Sequence, residues 1–331
     1  MPRKAAAPPP YELEAARWSD GAADAAPIAE DECVREVSRT QELTWVNIVA
    51  HDGEAAARLL AERFGFHKLE IEDALSSAER PHLHESEDHL FLSAPAVRLE
   101  GSKVFYAEVG FFIAPSLLVT VCRQRTAVIE TWFGRWKQHA PSFGQHVAFL
   151  LHALLDAIVD EYLPAMDALE EQAERLESSI FKGRPVEVKE LLRLKRRLLE
   201  MRRQLSPFRD IVNGLLRRDL TLIPDQAKPY YQDVYDHTLR VLESLDLNRE
   251  IVASLLDAHL ANVNNRLNEV MRLLTVIATI LMTLALFTGW YGMNFKHMPE
   301  LDWPWAYPGL LALMAGVVVL ELWLFRRKGW L

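Results

Sequence analysis

Apolar residues change their spacing along this chain, and each change predicts a different kind of element. Between about residues 40 and 140, "LTWVNIVA", "HLFLSAPAVRL", "KVFYAEVGFFIA" and "SLLVTVCR" are short runs rich in Val, Phe, Tyr and Thr with polar breaks on either side, the pattern of strands. Between them, "GEAAARLLAERFGF" and "TAVIETWFGRWKQHA" repeat apolar residues at helical spacing, so this region reads as an α/β unit. After residue 143 the strand signals stop. "GQHVAFLLHALLDAIVDEYLPAMDALEEQAERLESSIF" and "VEVKELLRLKRRLLEMRRQLSPFRDIVNGLLRRDL" predict a long helical hairpin broken at Gly183 to Pro185.

From Pro229 to Gly289 there is neither Pro nor Gly in between, and a continuous helix over that stretch would be about 90 Å long. Ordinary globular helices are far shorter, so the segment reads as a stalk. Asp236, Glu243, Glu250 and Asp257 recur every seven residues and share one stripe. The same period continues through Asn264, Met271, Ala278 and Ala285, with a companion track of Asn268, Thr275, Met282 and Gly289. Around these tracks stand Leu273, Ile277, Ile280, Leu281, Leu284 and Phe287. A solvated face would account for the acids, and close packing of small residues in lipid for the second half. Neither accounts for the alignment of the two.

Residues 273–295 and 303–320 carry no charge, and about 20 apolar residues suffice to cross a hydrocarbon layer. Arg272 precedes the first run and Arg326, Arg327 and Lys328 follow the second, while the connecting loop sets one Lys against Glu300 and Asp302. That distribution places both termini in the cytoplasm. Trp290, Tyr291, Trp303, Trp305 and Tyr307 form an aromatic belt at the far face. Glu321 is the acid inside a span, and its place near the cytoplasmic end predicts that it snorkels toward Arg326 or a headgroup.

The formal net charge of −9 argues against a general nucleic-acid partner and suits a cationic one. Cys33 and Cys122 make no CxxC pair and read as reduced thiols of a cytosolic region. The N-terminus lacks the apolar core of a signal peptide, and its Ala and Pro content predicts a flexible extension over residues 1–26. No Gly-rich phosphate loop, GxSxG or HExxH is present, so a membrane-anchored enzyme has little support. "HLHESEDH" at 82–89 has metal-ligand residue types without the spacing of a tight site, and reads as a solvated loop or strand edge.

The chemistry concentrates in "WYGMNFKHMPELDW" at 290–303. Gly292 would let the chain leave helical geometry after Tyr291, and Asn294 offers a neutral carbonyl oxygen. A hairpin of two spans encloses no water-filled path alone, so several copies around an axis are needed. A ring of amide oxygens suits Mg²⁺, which gives up its waters reluctantly and is held through them. A ring of carboxylates would hold the ion too tightly to release it. Glu300 and Asp302 would raise the local cation concentration at the mouth.

"YGMNF" at 291–295, "MPEL" at 298–301 and "WPWAYP" at 303–308 closely resemble the CorA magnesium and cobalt channel family. So do "RRKGWL" at the end, "NEVMRLLTVIATI" at 268–280, "WVNI" at 45–48, "IEDAL" at 71–75 and "YYQDVYDHT" at 230–238. The resemblance covers roughly residues 40–331. It implies an α+β membrane protein: a cytoplasmic α/β domain, a long helical hairpin and a stalk helix leading into two transmembrane helices, assembled as a homopentameric funnel. The divisions are an extension at 1–26, the α/β domain at 27–142, the hairpin at 143–228, the stalk at 229–271, the pore-lining span at 272–295, an external loop at 296–304, the second span at 305–325 and a basic tail at 326–331.

By the same resemblance, Gly292, Met293 and Asn294 form the selectivity mouth. Asn268, Leu274, Met282 and Ala285 match pore positions, with Leu274 and Met282 as the hydrophobic constriction. Regulatory Mg²⁺ would lie between subunits, on Asp73 with Glu72 beside it and on Asp233, with Asp257 at a further funnel position. The implied function is Mg²⁺ influx, with Co²⁺ or Ni²⁺ as further cargo, closed by internal Mg²⁺ in a bacterial inner membrane. Family members often carry Pro after the position of Met282 and a polar residue at that of Ala285, where this chain has Thr283 and Ala285. A proton-coupled Zn²⁺ transporter of the same superfamily is the alternative. His297 favours it weakly, whereas the intact loop motif counts against it.

Overall fold

The computed structural model describes residues 9–33, 42–76, 81–100, 103–143, 146–218, 220–294 and 298–330. The chain forms two compact units, Met1–Ser254 and Leu255–Leu331.

The first unit is built on a seven-stranded mixed sheet in the order β2-β1-β3-β7-β6-β5-β4. Its strands are β1 (Tyr11–Trp18), β2 (Ala26–Pro27), β3 (Leu43–Ala50), β4 (Leu83–Glu85), β5 (Leu90–Glu100), β6 (Lys103–Ala114) and β7 (Leu117–Cys122). Only β3 and β7 run parallel, Thr44 facing Leu117 through Val49 facing Cys122; the other neighbours are antiparallel. Every residue of β3 is buried, as expected of a central strand covered on both faces. Val46, Ile48 and Ala50 enter one core with Phe64, Ile71 and Phe112, while Trp45 meets Phe133 and Trp136 edge-on from the other side. Trp45 Nε1 donates to Thr120 Oγ1 at 3.0 Å and that hydroxyl donates to Asn47 Oδ1 at 2.9 Å, which satisfies polar groups between β3 and β7.

Strand β1 corrects the expectation of a flexible extension over residues 1–26. Its residues pair along the whole of β3, and Ala15, Ala16 and Trp18 are buried. "YELEAARW" combines two Glu with three residues of low or moderate strand preference, so the strand owes its existence to its partner and not to propensity. Residues 1–8 of the proposed extension lie outside the described residues.

Helices α1 (Gly53–Leu59, followed by a π-helical turn over Leu60–Phe64) and α2 (Lys68–Leu75) cover one face of the sheet. Helix α2 comes so near β6 that a Cβ on Gly110 would stand 2.8 Å from Ala74 Cβ, so glycine is required there. Helices α3 (Ala127–His139), α4 (Val147–Asp160), α5 (Tyr162–Phe181) and α6 (Val188–Arg217) follow, and residues 182–187 join the last two. The buried Tyr162 hydroxyl donates to the Pro95 carbonyl at 2.8 Å and fixes the start of α5 to β5.

Helix α7 runs unbroken from Lys228 to Tyr291. Tyr231, Val234, Thr238, Val241, Leu245 and Asn248 are buried at alternating spacings of three and four, so one side of the helix is packed. Asp236, Glu243, Glu250 and Asp257 fall on the exposed side. In the second unit, the end of α7 is joined through a 3-10 turn at Pro299–Asp302 to α8 (Ala306–Arg327). Both helices are long and apolar enough to cross a membrane, and little of that apolar stretch is covered within the chain. Half-buried positions of α7 at Thr279, Ile280, Thr283, Leu284 and Phe287 continue from buried Val276, while Leu310, Met314, Val317, Glu321 and Phe325 form the corresponding stripe of α8.

Candidate cation path and metal centre

Of the residues expected along a path, Met282 and Ala285 lie off that covered stripe, while Asn268 and Leu274 fall in residues 260–275, where every position of α7 is exposed. Asn268, Leu274, Met282 and Ala285 are all exposed, Met282 to 73 %. At the end of α7, Gly292, Met293 and Asn294 are exposed too. The helix ends at Tyr291 and the chain leaves it at Gly292, without a left-handed backbone at that glycine. Its N–H still donates to the Thr288 carbonyl at 2.9 Å, and Met293 N donates to Trp290 O at 3.4 Å, so the helix tightens over its last turn. The reason for glycine is steric: a Cβ would lie 2.9 Å from the Thr288 carbonyl oxygen. Glu300 and Asp302 sit exposed in the 3-10 turn. Phe295, Lys296 and His297 lie outside the described residues.

Glu321 departs from its expected snorkelling. Its Oε1 accepts from the Thr283 hydroxyl of α7 at 2.7 Å, and its Oε2 is shut away from solvent without a hydrogen bond. A carboxyl facing another helix is satisfied by a nearby hydroxyl more readily than by a guanidinium farther along its own helix.

In the first unit, Asp233 is brought together with two residues that sequence reasoning passed over. Asp156 of α4 and Asp233 and His237 of α7 offer ligand atoms that all lie within 4.8 Å of one another, the one such group among the described residues. His237 Nδ1 is 3.4 Å from Asp156 Oδ1 and Nε2 is 3.8 Å from Asp233 Oδ1. The Asp156 Oδ1 atom is buried and has no hydrogen bond. Tyr231, buried two residues before Asp233, donates from its hydroxyl to the Ala148 carbonyl at 2.8 Å and sets α7 against α4. Burial holds His152 below the usual imidazole value against the pull of Asp156 and Asp233. Asp160 is raised, first by burial and then by the Asp156 charge. Aspartates packed this closely favour a cation. One signal was available in the sequence: His152, Asp156 and Asp160 stand four apart on an otherwise apolar helix.

Asp73 and Glu72 lie on α2, away from any such group among the described residues. Asp73 Oδ2 is 2.8 Å from His82 Nε2, and Glu72 is exposed. Next to them, "HLHESEDH" holds the edge strand β4, the strand-edge half of the expectation, and its side chains surround a buried carboxylate. Buried Glu70 takes hydrogen bonds from Ser86 Oγ at 2.7 Å and pairs with His84 Nδ1 and His89 Nε2, each at 2.8 Å. Burial alone would raise the Glu70 carboxyl, but the contacts with Ser86, His89 and His84 outweigh it and hold it below its ordinary value. The cluster fastens α2 to β4 and the start of β5, and so positions Glu72 and Asp73.

The family described as CorA-like Mg²⁺ transporter protein matches residues 40–327. The chain belongs to that family. It is 32 % identical over 292 residues to the cobalt/magnesium transport protein CorA of Thermotoga maritima, covering 87 % of this chain and 83 % of that protein. The cobalt/magnesium transport protein CorA of Methanocaldococcus jannaschii is 27 % identical over 292 residues, covering 87 % of this chain and 92 % of that one. The complete structure of the CorA magnesium transporter from Methanocaldococcus jannaschii shares the fold with a TM-score of 0.83 at 24 % identity, over 96 % of this chain and 98 % of that one. The CorA fold thus extends over both units.

Proposed function

We propose that this chain assembles around the exposed side of α7 and passes hydrated divalent cations across a membrane, with Mg²⁺ as the main cargo. The observation that carries the reading is the chemical grading of the exposed positions of α7, which stand beside a packed stripe over residues 231–255 and 276–287 and in a fully exposed stretch between them. Acids at Asp236, Glu243, Glu250 and Asp257 give way to Asn268, then to Leu274, Met282 and Ala285, and finally to Asn294. Acids gather cations, a narrow apolar stretch gates them, and a ring of neutral amides holds an ion through its water shell without trapping it. One α7 cannot enclose such a path, so several copies are needed, and the family resemblance supports five. The charge around the spans supports cytoplasmic termini, and the family resemblance supports a bacterial inner membrane. The cobalt and magnesium names of the relatives do not favour the zinc alternative.

Asp156, Asp233 and His237 suit a regulatory divalent ion, because a buried carboxylate oxygen there has no hydrogen bond and only the His237 ring beside it. Two carboxylates would hold Mg²⁺, and the imidazole nitrogen adds affinity for Co²⁺ or Ni²⁺. Glu72 and Asp73 of a neighbouring copy complete the donor set in this reading. An ion bound there favours one arrangement of the subunits and shifts the population toward the closed state.

Asn294→Ala tests the mouth. Loss of an acceptor for a charged ligand, about 1.5–3 kcal/mol, predicts roughly ten- to hundredfold weaker capture of external Mg²⁺ by the full chain in liposomes. Unchanged concentration dependence and ion preference would remove Asn294 from the mouth.

A further inference from the structure

We propose that Thr283 and Glu321 form a releasable latch that positions the open side of α7 by pinning the opposite side to α8. The inference rests on the reading that α7 lines the cation path. The Thr283 hydroxyl donates to Glu321 Oε1 at 2.7 Å and also lies 3.0 Å from the Thr279 carbonyl oxygen. Thr275 and Thr279 use only the second kind of contact, donating to the carbonyls of Met271 and Thr275 at 2.7 and 2.8 Å. Thr283 therefore has two discrete acceptors for one proton, one across to α8 and one within its own helix. Release costs the hydroxyl little, since its helical acceptor stays in place, but it leaves Glu321 without a partner.

Glu321 interrupts the apolar stripe of α8 that also carries Met314, Val317 and Phe325. A carboxyl in that position is expensive in a hydrocarbon layer and packing would be served by an aliphatic side chain, so its hydrogen bond is the feature that distinguishes it. Successive helical residues are about 100° apart, so fixing Thr283 toward α8 also fixes where Met282 and Ala285 point. The latch thereby sets the rotation of α7 at the narrow apolar stretch. Glu321 is a positioning residue: it acts on the path through Thr283.

The test is a double-mutant cycle on the full chain in liposomes, with Mg²⁺ uptake and melting temperature as readouts. Thr283→Val and Glu321→Leu are each expected to slow maximal uptake about three- to tenfold, the range expected for an interhelical hydrogen bond in a membrane, with half-saturating external Mg²⁺ unchanged. The double variant should be no slower than either single one. Glu321→Gln, which keeps a carbonyl acceptor and adds no charge, should restore the rate. Additive losses, wild-type rates in both single variants, or a Gln variant as slow as the Leu variant would each overturn the latch. If Glu321→Leu fails to assemble, Thr283→Ser and Thr283→Val carry the test: the hydroxyl-bearing Ser variant should be normal and the Val variant slow, and equal rates would refute the proposal. Absence of Mg²⁺ uptake by the unmodified protein would fail the path reading instead, and the cycle on melting temperature would still decide whether the two side chains are coupled.

Discussion

The Oδ1 atom of Asp156 is closed off from water with no hydrogen bond, a situation that costs about 1–3 kcal/mol unless a positive group sits against it. His237 Nδ1 lies 3.4 Å away and Asp233 approaches from the next turn of α7, so a divalent ion has both charge and geometry in its favour. Asp156→Asn removes one charge with little change of shape. It should weaken Co²⁺ binding to the full chain about tenfold or more, read as loss of the Co²⁺-dependent rise in melting temperature. An unchanged rise would take Asp156 out of the site. Asp233 was legible in "YYQDVYDHT" because it stands in a familiar run, whereas Asp156 is one acid in "LLDAIVD" whose partners come from a helix far along the chain. At Gly292 the sequence marks where the helix ends, but not the close approach of the Thr288 carbonyl that a Cβ there would meet.

Among the elements, the strands of long β-rich runs and the stalk were legible, since their periodicity is strong and their ends carry polar breaks. Helix α2 was missed. It begins on His67, whose ring accepts from Leu69 N while Glu70 reaches back to His67 N, a capping box in which histidine stands where Ser, Thr or Asp usually announces the start. The junction between α4 and α5 carries a titratable group of its own. Burial raises the Glu161 carboxyl to about 7 from its ordinary 4.5. The folded chain therefore holds a proton between those values that the unfolded chain has released. The contribution of Glu161 to stability is most favourable below about pH 4.5, declines as the pH rises, and is a standing penalty above about pH 7. Glu161→Gln should raise the melting temperature at pH 8 and flatten its decline between pH 5 and 7, the window set by about 4.5 and 7. Parallel melting curves for the two proteins across that range would contradict the assignment.

For the molecule as a whole, the sequence separates an acidic, mixed region from an apolar end, and the two units divide at residue 254. Charge and hydropathy reveal spans because lipid imposes one strong rule on every residue within it; the partners of Asp156 and Glu321 stay hidden because contact between distant segments imposes none that a single chain records. The Zn²⁺ and Mg²⁺ readings share the same fold and separate only in transport. The most direct measurement is uptake of Mg²⁺ into liposomes holding the purified protein, with and without Mg²⁺ inside, with Zn²⁺ and a pH dye in parallel. Mg²⁺ entry that is suppressed by internal Mg²⁺, with no accompanying proton movement, is the predicted result. Zn²⁺ entry coupled to protons without any Mg²⁺ flux would contradict it.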